Sequence, residues 1–137
     1  MQKLTFVIAI AALVACGKSD KPGDPAAGSG AASAGAPRDA VIDAWKTAKL
    51  NPSAFAPAKV AFGKDCQAGS VAGVDVLVCN FATPAEAKAA EDAGLGWIGG
   101  ATGASQARGS ALIVVADHKK ADPNGRMINQ LLKLAPN

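Results

Sequence analysis

Ala111-Leu112-Ile113-Val114-Val115-Ala116 stands between Ser110 and Asp117 as an unbroken apolar run. Its length and β-branched content suit a strand, and the lack of polar interruption suits one covered on both faces, at the centre of a sheet. Such a strand needs partners beside it and helices over it, and the flanking sequence is read for both.

Downstream, Asp117-His118-Lys119-Lys120 is a charged turn. Asp122-Pro123 predicts the start of the last helix, with Asp122 as cap and Pro123 at the first helical position. Met127, Ile128, Leu131, Leu132 and Ala135 make its inner stripe, and Pro136 ends it. His118, Lys119, Lys120 and Arg126 surround that helix start, where backbone donors favour negative charge; they read as a small anion site or as a solvated turn. His118 is the single histidine. With Asp117 it offers fewer ligands than a dedicated zinc or copper site requires, so no metal and no cofactor is expected. Ser105, Ser110, His118 and Asp117 contain the side chains of a hydrolytic triad, but nothing in their order resembles a nucleophile elbow.

Upstream, Gly94-Leu95-Gly96-Trp97-Ile98-Gly99 has the spacing G-x-G-x-x-G, and Thr102-Gly103-Ala104-Ser105 follows it. The second piece resembles the TGAS turn of short-chain dehydrogenases. A dinucleotide fingerprint needs a strand before the glycines and a helix after them. Here a helix precedes, the chain has no Tyr to serve as that family's catalytic residue, and no nucleotide is expected. Residues 94–109 read instead as a long flexible loop pinned by Trp97 and Ile98, a reasonable place for function. Trp97 and Arg108 of this loop are candidate partner contacts, the binding site being expected at this loop or at the basic turn.

Thr83-Pro84-Ala85-Glu86 predicts a helix start with Thr83 as cap, Pro84 first, and Glu86 closing a capping box. That helix runs through Ala93 and stops at Gly94. Before it, Lys59–Cys66 and Val74–Phe81 read as two strands of a hairpin turning at Ala72-Gly73. On the second strand Val74, Val76 and Val78 share one face, and Leu77, Cys79 and Phe81 the other. A first helix opens at Asp39 and runs to about Leu50, with Val41, Ile42, Trp45 and Ala48 on its apolar face, and Asn51-Pro52 ends it. Pro52–Phe55 suggests a short turn. Trp45 suits a core position better than a ligand platform.

The resulting order, α-β-β-α-β-α, predicts a small single α+β domain over residues 38–137. Its antiparallel-rich sheet has three strands, or four if residues near Trp97 add one, packed mainly on one face by about three helices.

The chain opens differently. Lys3 precedes an apolar core from Leu4 to Val14 that ends in small residues, the layout of a secretory signal. It falls short of the about 20 apolar residues that span a bilayer. Leu13-Val14-Ala15-Cys16-Gly17 resembles the processing site of bacterial lipoproteins, the lipobox. The resemblance implies a diacylglyceryl thioether on Cys16, loss of residues 1–15 as a signal peptide, and a further acyl chain on the new amino terminus. Gly17, being no Asp, implies sorting to the outer membrane. Residues 16–37 then form a lipidated Cys and a tether of Gly, Ala, Ser and Pro, too poor in apolar residues to fold. As a coil it spans about 25 Å.

If Cys16 carries lipid, Cys66 and Cys79 remain of the three cysteines. An exported pair is usually a disulfide, here stapling the hairpin's open end; a redox-active dithiol is the other reading, though such pairs are normally C-x-x-C. The net charge of +3 falls to about +2 once Lys3 is lost, too weak to argue for nucleic acid. The expected function is a membrane-anchored envelope lipoprotein, a non-catalytic module that binds an envelope protein, glycan or lipid. The alternative is an envelope hydrolase or thiol-redox accessory using His118 or Cys66 and Cys79.

Overall fold

Ala72 and Gly73 both have positive φ, 51° and 87°, the pair of left-handed positions that lets a two-residue turn match the twist of its strands. The turn sets the register. Stepping back from Val71↔Val74 brings Cys66 opposite Cys79. The two are joined by a disulfide with Cα atoms 4.0 Å apart, as suits a closely spaced, non-hydrogen-bonded pair.

The computed structural model describes residues 36–137. They run α1 (Pro37–Thr47), β1 (Ala56–Val60), β2 (Gly63–Val71), β3 (Val74–Asn80), α2 (Pro84–Ala89), α3 (Glu91–Ile98), β4 (Thr102–Arg108), β5 (Ala111–Asp117) and α4 (Arg126–Leu134). The signal peptide 1–15, acylation of Cys16 and nearly all of the 16–37 tether lie outside the described residues. Pro37, assigned to that tether, is the first residue of α1.

The strands form one antiparallel sheet in the order β1-β2-β3-β5-β4. Every residue of β5 is buried, as its apolar run requires. The domain is therefore α+β, with five strands rather than three or four and four helices rather than three. Helices cover both faces instead of mainly one. Val76, Val78, Ile113 and Val115 meet Trp45 of α1 and Leu131 of α4 on one side. Leu77, Cys79, Leu112 and Val114 meet Ala90 and Ile98, beside α2 and in α3, on the other. The alternation expected along β3 holds on both sides.

Three corrections have separate causes. The stretch read as one strand, Lys59–Cys66, turns at Ala61-Phe62 between Val60 and Gly63, so it supplies parts of β1 and β2. Residues 94–109 are not a loop: the helix kinks at Ala90, continues as α3 to Ile98, and is followed by β4. Gly94 does not stop that helix. It is buried where α3 presses on β4 and β5, and a Cβ there would collide with Ser105 Oγ and Val114; the helix ends instead at Gly99, with φ of 62°. The last helix starts at Arg126 rather than Pro123. Asp122 does serve it, from further upstream, accepting hydrogen bonds from Arg126 N and Ile128 N.

At the other end, Ala36 rather than Asp39 occupies the N-cap of α1. The Arg38 N–H is satisfied from the sheet, donating to Asn80 Oδ1 at 2.8 Å. Pro52–Phe55 is not a separate turn, because Pro52 bridges to Val71 and Ser53 N donates to the Ser70 carbonyl. The capping box forms as expected: Glu86 N donates to Thr83 Oγ1 at 3.2 Å and Thr83 N to Glu86 Oε2 at 3.1 Å. Trp45 is fully buried and donates from Nε1 to the Leu131 carbonyl at 2.9 Å, locking α1 to α4.

Candidate functional site

The candidate contacts fall at two ends of the sheet. His118 follows β5, on the side of the sheet that carries α3. Its Nδ1 lies 3.0 Å from Asp75 Oδ2, and its ring meets Trp97 edge-on with centroids 5.8 Å apart. Lys119 Nζ stands 3.6 Å from the other oxygen of Asp75. Asp75 thus holds His118 and Lys119 together, and Trp97 packs on the His118 ring. Lys120 is exposed, with φ of 56°. A shallow hollow of about 470 Å³ beside it is lined by Ala101, Thr102, Asp117, His118, Lys120 and Pro123.

Several backbone donors between this turn and Arg126 are already in use. Two buried aspartates occupy the donors that an anion would need: Asp117 accepts from Ala121 N and Asp122 N, and Asp122 accepts from Arg126 N and Ile128 N. The negative charge favoured at a helix start is supplied by Asp122 itself. Arg108 lies at the opposite end of β4, where it donates to the Leu132 carbonyl, Gln106 and Asn137. It fastens the end of α4 and takes no part in the His118 cluster.

The hydroxyls do not assemble with His118. Ser110 precedes β5 and His118 follows it, so the length of the strand, about 23 Å, separates them. Ser105 Oγ is buried under α3 against Gly94, without a hydrogen-bond partner among the described residues. His118 itself is half-exposed, and among the described residues its side chain bonds only Asp75. The glycines of Gly94–Gly99 lie in α3 and its end, and Thr102–Ser105 lies in β4. The cysteine sulfurs are packed inside, Cys66 being 4% exposed and Cys79 0%. Among the described residues no three His, Cys, Asp or Glu side chains are placed to hold a metal ion, and no helix is long and apolar enough to cross a membrane.

A groove that the motifs did not flag is the larger feature. α2 and α3 pack against β4 and β5, so the same face of the sheet is open over β2 and β1. Ala58, Val60, Phe62 and Ala68 are only partly buried there. Between the β1–β2 turn and α2 this leaves a cavity of about 640 Å³, with Phe62, Phe81, Ala89, Ala90 and Ala93 among its walls and Lys64 on its rim. That volume lies within the range of small-molecule sites. The cavity's walls come from the β1–β2 turn, the end of β3 and α2, and the reading of Lys59–Cys66 as one continuous strand hid the turn.

No protein-family model matches this chain, and no curated protein or solved structure is significantly similar to it.

Proposed function

We propose that the chain is a lipid-anchored lipoprotein of a bacterial envelope, held at the outer membrane through acyl groups on Cys16, whose domain binds a partner without transforming it. The observation that carries this is the Cys66–Cys79 disulfide. A buried disulfide suits an oxidising compartment, and this pairing leaves Cys16, in Leu13-Val14-Ala15-Cys16, as the odd cysteine. Two acyl chains already anchor stably, since each buried methylene adds about 0.8 kcal/mol.

The hydrolytic and redox alternative has less support. It calls for a cleft converging on His118 or for accessible thiols, whereas His118 stands on an exposed turn and the sulfurs are inside.

Fractionation of cells carrying the wild-type chain or Cys16→Ser tests the anchoring. Wild type is expected in the membrane fraction until detergent is added, and Cys16→Ser in the soluble fraction. Equal distribution of the two would overturn the proposal.

A further inference from the structure

The two edges of the sheet are guarded unequally. β1 has Pro57, which lacks an N–H, then Lys59, and an irregular register between Ala58 and Val60; such features keep a free edge from pairing. β4 has none of them. Its register with β5 is regular from Thr102↔Asp117 to Arg108↔Ala111, and no charged residue stands between Thr102 and Ala107.

Alternate residues of an antiparallel edge strand turn their N–H and C=O groups outward. Ala107 is one of them, because its N–H donates to Glu91 Oε1 at 2.8 Å instead of to β5. Ser105 and Gly103 follow at intervals of two, so their N–H and C=O groups face out as well. Among the described residues nothing outside the sheet bonds them.

Leu95 marks the same edge. Glu91 reaches over the outside of β4, and Leu95, one turn further on the same side of α3, is 52% exposed. Gly94 and Ile98 lie against Ser105 and Gly103, so Leu95 stands level with the stretch between those two residues.

We propose that β4 pairs with β4 of a second copy of this chain, antiparallel, about a two-fold axis at Ala104. That register sets Gly103 opposite Ser105 of the second copy, and Ser105 opposite its Gly103. Every outward N–H and C=O of the two residues is then satisfied, and the bond from Ala107 to Glu91 stays intact. The axis selects a second copy over a strand of another chain, since it brings the two Leu95 side chains together and sets no like charges face to face. α3 packs across β4 and β5, so with strands about 4.8 Å apart the two α3 helices stand at about 10 Å, an ordinary packing distance. With β1 closed to pairing, the assembly ends at two chains. The inference rests on the fold alone and does not require the anchor on Cys16.

The test is sedimentation velocity with amide hydrogen exchange on the mature-length chain carrying Cys16→Ser, so that no acyl chain drives association. The contact is small, and a weak, reversible dimer is expected. Between about 10 μM and 1 mM the mass should rise from one chain towards two and no further. The Gly103 and Ser105 amides should exchange more slowly at the upper end. Leu95→Lys, at an exposed position, should raise the dissociation constant about tenfold or more, because it removes apolar contact and sets like charges across the axis. Leu95→Ser should act in the same direction without the charge. A monomer throughout would overturn the proposal and leave the edge to a strand of another protein. Equal association of wild type and a folded Leu95→Lys would overturn it too, as would a dimer whose Gly103 and Ser105 amides exchange as fast as in the monomer. Anchoring is read separately by fractionation, so either proposal can fail alone.

Discussion

Gly94 and Ser105 meet where α3 lies against β4, at a separation that leaves no room for a Cβ on residue 94. Gly94→Ala should therefore force α3 off the sheet and lower stability by about 1–3 kcal/mol, the usual cost of overpacking. Ser105→Gly in the same chain should restore part of it. Urea denaturation of the wild type and the two variants measures both effects, and an unchanged midpoint for Gly94→Ala would show that the helix sits further out.

The hairpin turn predicts a gain. Ala72 holds a φ of 51°, a left-handed conformation costing an L-residue with a Cβ roughly 1–2 kcal/mol. Asn tolerates that region and is favoured in such turns. Ala72→Asn should raise stability by about 0.5–1 kcal/mol, read from the thermal midpoint, while Gly73→Ala should lower it.

The disulfide closes a short loop, with Cys66 and Cys79 13 residues apart. Reduction, or replacement of both by Ala, should cost about 3 kcal/mol on the chain-entropy account. A loss well under about 1 kcal/mol would mean that the tight turn already holds the unfolded hairpin together.

Glu91 predicts a pH dependence. Its carboxylate is held below the usual range by the hydrogen bond from Lys88 Nζ and then by the one from Ala107 N, which ties α3 to the outer edge of β4. A depressed folded pKa means that the stabilisation is present above the unfolded value, about 4.3, and is lost as pH falls through the folded one. Between about pH 5 and pH 3 the wild type should lose more stability than Glu91→Gln. Asp65, held low by Asn80 and Arg38, titrates in the same direction in both chains and cancels in the difference.

The parts of the fold legible in the sequence are those where local chemistry and tertiary position agree. The Ala111–Ala116 run of β5, the Ala72-Gly73 turn and the Thr83–Glu86 box each combine a strong local signal with a matching environment. β4 does not: Thr102-Gly103-Ala104-Ser105-Gln106-Ala107-Arg108 has little β-branched content, and pairing with β5 makes it a strand. Its small residues answer to α3 lying close above them. At Gly103, a Cβ would strike the Val115 carbonyl and Ile98, so the same glycines that resemble loop punctuation mark close packing. The meeting of Trp97 with His118 was not legible, because residues 94–109 read as a loop separate from the basic turn, and it takes α3 and the end of β5 to bring the two rings together.

Anchoring and the disulfide are tested together, and most directly, by the intact mass of the protein from its native membrane fraction, with thiol alkylation before and after unfolding and reduction. We expect loss of residues 1–15, a lipid increment on Cys16, and labelling of Cys66 and Cys79 only after both treatments. A mature chain with an unmodified Cys16, or with Cys66 and Cys79 labelled while folded, would contradict the proposed function.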